Sequence, residues 1–155
     1  MTRRGSVVSL RPITDANREA VEALGVRPEQ RRFVSSVRES MLEAAEEPHA
    51  HALYWAIYDD ESPVGFVMIA DEVDTPDYVP HFLWKLLIDE RYQRRDLGTA
   101  TLDLIVEHFR KRGVAVMWTS AMEGEGSPVA FYERYGFQRT GERHGDEVML
   151  RLVIS

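Results

Sequence analysis

The amino-acid sequence predicts an α/β (α+β) fold in which helices cover both faces of one mixed sheet. Strand-like and helix-like patterns alternate along the chain in the order β-α-α-β-β-β-α-β-α-β-β, which is typical of layered sheets and helices. The length of 155 residues suits one compact domain, and the 44% share of hydrophobic residues is sufficient for its core. Because no repeat, low-complexity segment or linker interrupts the pattern, we expect a single domain over residues 1–155.

The beginning of the chain predicts one strand and two helices. Residues 6–11 form a short stretch that contains β-branched residues, which favours a strand. A short helix follows, with Thr14 as its N-cap and Gly25 just past its end. A longer helix is expected from Pro28 to about Glu47, because apolar residues recur there at helical spacing.

The middle of the chain predicts a hairpin, a central strand and a helix. Residues 51–58 and 63–70 flank a polar turn and form the hairpin. An acidic loop leads to residues 81–89, a mostly apolar strand that we expect to be buried on both faces. The next helix is predicted from Leu97 to Arg112, since its last turn is basic and a glycine follows.

The last part of the chain predicts strand, helix and hairpin. Residues 114–120 favour a strand, and Ser127 and Pro128 form a suitable N-cap and first position for a helix. Residues 137–143 and 147–154 then predict two strands around a short polar turn.

The composition excludes several functional classes. A net charge of −7 without a basic block argues against nucleic acid as a partner. The absence of cysteine excludes disulfides and a thiol nucleophile. None of the five histidines stands at metal-ligand spacing with a carboxylate partner, so we expect no metal. The N-terminal residues lack a long apolar stretch, so we expect no signal peptide, no membrane contact and a cytoplasmic location.

The junction between the central strand and the long helix is a candidate anion site. The first turn of a helix presents unpaired backbone N–H groups and the positive end of its dipole, which suit a pyrophosphate. Gly98 allows a ligand close to the backbone, and Arg94 and Arg95 add charged donors. The alternative interpretation of these residues is a solvated turn.

This junction resembles the acetyl-CoA motif of the GNAT N-acetyltransferase family, which is Arg/Gln-x-x-Gly-x-Gly/Ala after a central strand. Gln93, Leu97 and Gly98 match that motif. The segment "FYERYGF", residues 131–137, resembles the family's helix with a tyrosine before Gly-Phe, and the hairpin resembles its second and third strands. Together these features span residues 52–137.

The resemblance implies a GNAT-like mixed, mostly antiparallel sheet of six to seven strands with helices on both faces. It implies acetyl-CoA as co-substrate, a small-molecule primary amine as acceptor and a homodimer as the assembly. Within the family, the stretches "LWKLLIDERYQ" and "RTGERHGDEVMLRL" resemble bacterial diamine and polyamine acetyltransferases.

One residue departs from the family motif. Asp96 replaces its first glycine, at a point where the backbone turns tightly beside the pyrophosphate. Aspartate tolerates left-handed backbone better than most residues. We expect its carboxylate to turn outward and cap the helix that starts at Leu97, with weakened cofactor affinity as the consequence. The alternative is that cofactor binding is lost.

Tyr132 is the candidate general acid. A phenol with a pKa of about 10 stays protonated at neutral pH and can donate to a leaving thiolate, and the resemblance implies this role. The alternative is one more aromatic residue on an apolar helix face. The resemblance also implies main-chain contacts from the central strand. The residues expected to bind the cofactor are Leu86, Leu87, Ile88, Arg94, Arg95, Asp96, Leu97, Gly98, Thr99 and Tyr132.

The acceptor site and the base are less defined. Trp84 and Glu72 are the candidate substrate-binding residues, because an aromatic face and a carboxylate both attract an ammonium group. No carboxylate stands at the start of the central strand. Two candidates for the general base therefore remain: the loop carboxylates, including Asp74 and Asp77, and ordered water. Two alternatives to a small-amine enzyme remain: a non-catalytic acyl-CoA-binding or sensing module, and a protein N-terminal acetyltransferase.

Overall fold

A computed structural model describes residues 7–72, 79–93 and 95–154. The strands are β1 Val8–Arg11, β2 Ala52–Asp59, β3 Ser62–Asp71, β4 His81–Ile88, β5 Val116–Met122, β6 Gln138–His144 and β7 Glu147–Val153. The helices are α1 Arg18–Glu22, α2 Val37–Glu46, α3 Leu97–Lys111 and α4 Val129–Tyr135. Short 3-10 turns occupy Pro28–Gln30, Pro48–Ala50 and Glu90–Tyr92.

The seven strands form one sheet in the order β1-β2-β3-β4-β5-β7-β6. Within the described residues, β4 and β5 pair in parallel and every other neighbouring pair is antiparallel. The fold-class prediction is therefore confirmed, including the hairpin of β2 with β3 and that of β6 with β7.

Two apolar clusters cover opposite faces of the sheet. One packs α3 and α4 against it, through buried residues such as Leu102 and Phe109. The other packs α1 and α2 against it, through residues such as Val21 and Val37. Because both faces are covered by helices, the buried surface of the sheet is the core of the fold.

The predicted long helix over Pro28–Glu47 is wrong in its first part. The structure has a 3-10 turn at Pro28–Gln30, and α2 begins only at Val37. Ser36 and Glu39 form a reciprocal capping box: the Ser36 backbone N–H donates to Glu39 Oε1 at 2.9 Å, and the Glu39 N–H donates to Ser36 Oγ at 3.1 Å. This box fixes the start of the helix, and its Ser-x-x-Glu pattern was the signal for that start.

Two other helix starts differ slightly from the prediction. Asn17, and not Thr14, occupies the N-cap position of α1; its side chain makes no capping hydrogen bond to the helix, and its oxygen accepts from the Thr14 backbone N–H at 2.7 Å. Helix α4 begins at Val129, whose N–H donates to Ser127 Oγ at 3.1 Å. The hydroxyl at Ser127 therefore serves the start of α4, as its sequence position suggested.

A β-bulge in β4 positions the functional region. Met68 of β3 pairs with Lys85 whereas Ile69 pairs with Leu83, so Trp84 is the extra residue on β4. The parallel ladder to β5 registers two pairs, of which Leu83 with Thr119 is the last. Bulges bend a strand and end its pairing, and β4 parts from β5 at this point. The central strand is consequently less buried than predicted, since clefts open beside its second half.

Candidate active site

The first cleft, here called the α3 cleft, lies between the second half of β4, the N-terminal turn of α3 and helix α4. Its volume is about 690 Å³. The lining includes most of the residues predicted to bind a cofactor, namely Leu86, Ile88, Asp96, Leu97, Gly98, Thr99 and Tyr132. Tyr132, which is distant in sequence from the other six, thus lies in the same cleft as the strand–loop–helix unit.

Asp96 adopts the left-handed conformation at the start of α3, with φ of 60° and ψ of 17°. Its backbone carbonyl accepts from the Ala100 N–H at 3.0 Å, which starts the helix. The side chain is exposed and makes no capping hydrogen bond to the helix, so the expectation that it caps α3 is wrong. A residue whose side chain caps a helix typically has backbone angles in the β region, and the left-handed angles of Asp96 differ from these. The first-turn amides, which have no carbonyl partner within a helix, are left for an anion.

Gly98 has a structural role as well as a position in the cleft. A Cβ atom built on Gly98 would lie 3.0 Å from Cζ of Phe131, a residue of α4. The absence of a side chain therefore lets the Phe131 ring pack against the first turn of α3. The predicted close approach of a ligand to this backbone stays a prediction.

Gln93 ties the loop before α3 to its surroundings. Its side-chain amide donates to the Ile88 carbonyl at 2.9 Å and to Gln30 Oε1 at 2.9 Å. Gln30 also lines the α3 cleft. The motif residue Gln93 therefore joins the end of β4 to the segment that precedes α2.

Asp89 anchors the same loop from inside the protein. Its carboxylate is buried and accepts from the backbone N–H groups of Gly25 at 2.9 Å and Arg91 at 3.0 Å, and from Arg91 Nε at 2.8 Å. Burial works to raise the pKa of Asp89, but these hydrogen bonds outweigh it and the net shift is downward. The ionised carboxylate thus holds the loop against the end of α1.

Two predicted cofactor residues in the described part of the chain, Arg95 and Leu87, do not line the α3 cleft. Arg94 falls outside the described residues. Arg95 is exposed, with its guanidinium carbon 5.5 Å from the centroid of the Tyr92 ring, and it does not line the α3 cleft. The Leu87 side chain is buried in the cluster on the α1–α2 face. Because alternate residues of a strand face opposite sides, only main-chain atoms of Leu87 could reach a ligand in the α3 cleft.

Tyr132 lies on α4 with only 6% of its surface exposed, and it lines the α3 cleft. Burial raises the pKa of Tyr132 to about 12; the Thr119 hydroxyl opposes this rise, and the negative charge of Glu147 adds to it. The phenol is therefore protonated at neutral pH and can act as a hydrogen-bond or proton donor.

A second cleft, here called the α2 cleft, lies beside the bulge of β4. Its volume is about 550 Å³. Trp84 and Trp118 provide aromatic faces, and Lys85 provides an ammonium that lies 2.8 Å from Glu43 Oε2. Among the described residues, four carboxylates line it: Glu43, Glu47, Glu142 and Glu147. Trp84 and Lys85 face the α2 cleft, whereas Leu86 and Ile88 of the same strand face the α3 cleft.

The second predicted substrate residue, Glu72, is not near Trp84. Its carboxylate lies 3.2 Å from Arg112 Nη2 at the end of α3, it is largely exposed, and it lines neither of the two clefts. Its role in binding an amine stays a prediction without a contact that supports it. Asp74 and Asp77 fall outside the described residues.

The sequence did not reveal several residues of these clefts. Phe33 reaches the α3 cleft from a segment that was predicted to be helix, and a Cβ on Gly126 would lie 3.6 Å from its ring. Ser120 and Glu147 line the α2 cleft from β5 and β7. Each is an ordinary strand or loop residue by pattern, so only the three-dimensional arrangement identifies them.

A parallel strand pair that parts beside a helix N-terminus thus leaves a cleft with a buried phenol in its lining. Residues 29–137 match the model of the "Acetyltransferase (GNAT) family". The chain belongs to this family, and it is accordingly an acetyl-CoA-dependent N-acetyltransferase.

Individual relatives agree with this assignment. The spermine/spermidine N(1)-acetyltransferase of Bacillus subtilis is 30% identical over 152 residues, which cover 93% of this chain and 97% of that protein. The ribosomal protein bS18-alanine N-acetyltransferase of Escherichia coli is 30% identical over 82 residues, 47% of this chain and 55% of that protein. The structure of the PaiA N-acetyltransferase of Thermoplasma acidophilum in complex with coenzyme A has the same fold, with a TM-score of 0.67 and 14% identity over 95% of this chain and 99% of that one.

No helix in the described part of the chain has both the length and the apolar composition to cross a membrane.

Proposed function

We propose that the enzyme acetylates a primary amine of a small cationic molecule, with a polyamine as the favoured class. The observation that carries this proposal is the α2 cleft, whose described lining includes four carboxylates together with Trp118 and Trp84, the bulge residue of β4. Carboxylates and aromatic faces both attract ammonium groups, and alkyl chains pack on the same rings. The name of the Bacillus subtilis relative, similar over 93% of this chain, supports the same class.

Acetyl-CoA is proposed to occupy the α3 cleft. Its diphosphate would accept hydrogen bonds from the first-turn amides of α3, at Gly98 and Thr99. Its pantetheine arm would run beside Leu86 and Ile88, where β4 has parted from β5 and its main-chain groups face the cleft. This arrangement would bring the thioester close to the parting of the two strands, between the α3 cleft and the α2 cleft.

Tyr132 is proposed to donate a hydrogen bond to the leaving thiolate. Since the pKa of Tyr132 is about 12 and that of a thiol is about 8.5, complete proton transfer in the ground state would be unfavourable. The phenol would instead donate a hydrogen bond that strengthens as negative charge develops on sulfur. This interaction stabilises the transition state more than the bound substrate, which is what accelerates a reaction.

The test is a thiol-release assay with acetyl-CoA and a panel of spermidine, spermine, diamines, amino acids and a peptide with an N-terminal alanine. We expect turnover with polyamines and acetylated product by mass spectrometry. Turnover with the peptide alone would favour the protein N-terminal acetyltransferase, the activity in the name of the Escherichia coli relative. Acetyl-CoA binding by calorimetry without turnover on any amine would favour the sensing module.

The homodimer and the cytoplasmic location expected from the sequence stay predictions. Light scattering after size-exclusion chromatography measures the assembly directly.

A further inference from the structure

Glu147 occupies a distinctive position in the α2 cleft. It is the first residue of β7, it is half-buried, and its Cα is registered opposite Met122 of β5. The Ser120 hydroxyl donates a hydrogen bond to Glu147 Oε1 at 3.2 Å. The carboxylate is therefore held against β5 and directed along the wall of the cleft.

The neighbours of Ser120 connect this carboxylate to the α3 cleft. Thr119, the preceding residue, is the last residue of β5 registered with β4, and its hydroxyl donates to the Leu83 carbonyl at 2.9 Å. The Thr119 hydroxyl also acts on the Tyr132 phenol, whose pKa it lowers against the effect of burial. Successive strand residues face opposite sides, so Ser120, one residue beyond the parting of β4 and β5, holds the Glu147 carboxylate on the side opposite Tyr132. The field of Glu147 still reaches Tyr132, because it contributes to the raised pKa of the phenol.

The other carboxylates of the α2 cleft differ from Glu147 in their partners or in their exposure. Glu43 lies 2.8 Å from Lys85 Nζ, and Glu47 lies 3.1 Å from His49 Nε2. Glu142 is exposed on β6, the edge strand. Glu147 is half-buried and accepts from a neutral hydroxyl, so its negative charge stays available to a cationic group in the cleft.

We propose that Glu147 is the general base that removes a proton from the acceptor ammonium, and that Ser120 positions it. This inference rests on the proposed function. The ammonium gives one proton to Glu147, and the neutral nitrogen forms a bond to the acetyl carbon. The C–S bond then breaks while the Tyr132 hydrogen bond to sulfur strengthens; in the same step the phenol passes its proton to the sulfur and takes the second N–H proton of the intermediate, so no phenolate accumulates. Glu147 releases its proton to water in the open cleft, so one proton is released for each amide formed.

Other charged or titratable groups lie near Glu147, and each has to be considered as an alternative general base. His144 of β6 is its registered partner in the β6–β7 ladder, and Arg143 and Glu142 lie beside it on the same strand. Lys85 of β4 lines the cleft, and Tyr132 lies beyond Thr119. Of these groups, His144 is the other candidate base, and the test must separate the two.

The experiment compares the pH dependence of kcat and KM for the wild type, Glu147→Gln, His144→Gln and Ser120→Ala with an amine found to be a substrate. We expect Glu147→Gln to lower kcat by about 10²- to 10⁴-fold at pH 7.5, with less loss near pH 10, where the free amine no longer needs a base. Ser120→Ala should lower kcat by a smaller factor, roughly 2- to 10-fold, because one positioning hydrogen bond is lost.

Asp146→Asn is the matched control, since Asp146 is exposed on the adjacent turn and lines neither cleft. Calorimetry with acetyl-CoA verifies that each variant folds and binds the co-substrate. Two results for Glu147→Gln would overturn the role of Glu147: an unchanged pH profile of kcat, or a change in KM alone. A decrease of kcat in His144→Gln that equals or exceeds the decrease in Glu147→Gln would overturn it as well. Absence of turnover in the wild type would instead overturn the proposed function, and this inference with it.

Discussion

The hydroxyl of Thr119 donates a hydrogen bond to the carbonyl of Leu83 at 2.9 Å, across the last registered pair of β4 and β5. Both residues are almost completely buried. This bond closes the parallel ladder at the point where the α3 and α2 clefts begin, so the geometry of both clefts depends on it.

Thr119→Val should destabilise the protein by about 1–3 kcal/mol, because the buried Leu83 carbonyl loses its hydroxyl partner. Urea denaturation followed by circular dichroism measures this change. Thr119→Ser is the control that keeps the hydroxyl, and it should retain most of the stability that valine loses. Equal stabilities of the serine and valine variants would show that the hydrogen bond contributes nothing.

Tyr132→Phe should lower kcat by about 10²- to 10⁴-fold, the range measured when a positioned acid is removed. Affinity for acetyl-CoA should change little, since the ring remains in place. Steady-state thiol release and calorimetry give the two quantities. Tyr54→Phe, which removes a phenol outside both clefts, should leave kcat near that of the wild type; full activity of Tyr132→Phe would argue against a role for the phenol.

Gly65→Ala should prevent folding or cost at least about 3 kcal/mol. A Cβ atom at Gly65 would lie 2.2 Å from the Leu87 carbonyl oxygen, so β3 could not pair with β4 beside the α3 cleft without a backbone shift. Gly25→Ala is the matched control, because nothing lies within 4 Å of its Cβ position. Comparable melting temperatures for the two variants would contradict the close approach.

Asp89 should make the protein sensitive to acid. Its pKa is lowered in the folded state, so the stability it contributes is present above the unfolded value of about 3.9 and is lost as pH falls through the lower folded value. Asp89→Asn should be less stable at pH 7 and should show a shallower decline of unfolding free energy below about pH 4. Urea titrations between pH 2.5 and 7 provide the comparison, and parallel curves for the two proteins would exclude this contribution.

Asp96→Gly should tighten acetyl-CoA binding by roughly 2- to 10-fold. Glycine adopts the φ of 60° found here without strain, and the change removes a negative charge near the helix terminus proposed to hold the diphosphate. Asp96→Asn separates the two effects, since it removes the charge and keeps the side-chain shape. Calorimetry gives the dissociation constants. Weaker binding by both variants would mean that the carboxylate assists the cofactor.

The fold was largely predictable because its signals are local. β-branched or apolar stretches beside polar turns identified the strands, and helical spacing identified α3. The predicted helix from Pro28 failed because apolar spacing continues through a segment that the capping box at Ser36 excludes from α2. The missing side-chain cap at Asp96 was also unpredictable, since its backbone conformation and not its residue type decides where the carboxylate points.

The two clefts differ in how far the sequence could predict them. The α3 cleft includes one contiguous strand–loop–helix unit with a recognisable motif, and seven of the ten residues predicted to bind the cofactor line it. The α2 cleft combines Glu43, Trp84, Ser120 and Glu147 from four separate elements. No local pattern marks such a set, because only the sheet order and the bulge of β4 bring the residues together.

The central claim is that the N-terminal turn of α3 binds the diphosphate of acetyl-CoA and thereby brings the thioester to Tyr132. A crystal structure with coenzyme A tests it most directly. The account predicts diphosphate oxygens within hydrogen-bonding distance of the Gly98 and Thr99 amides, and the sulfur beside the Tyr132 hydroxyl. Coenzyme A bound elsewhere, or an α3 cleft left empty at saturating coenzyme A, would contradict it.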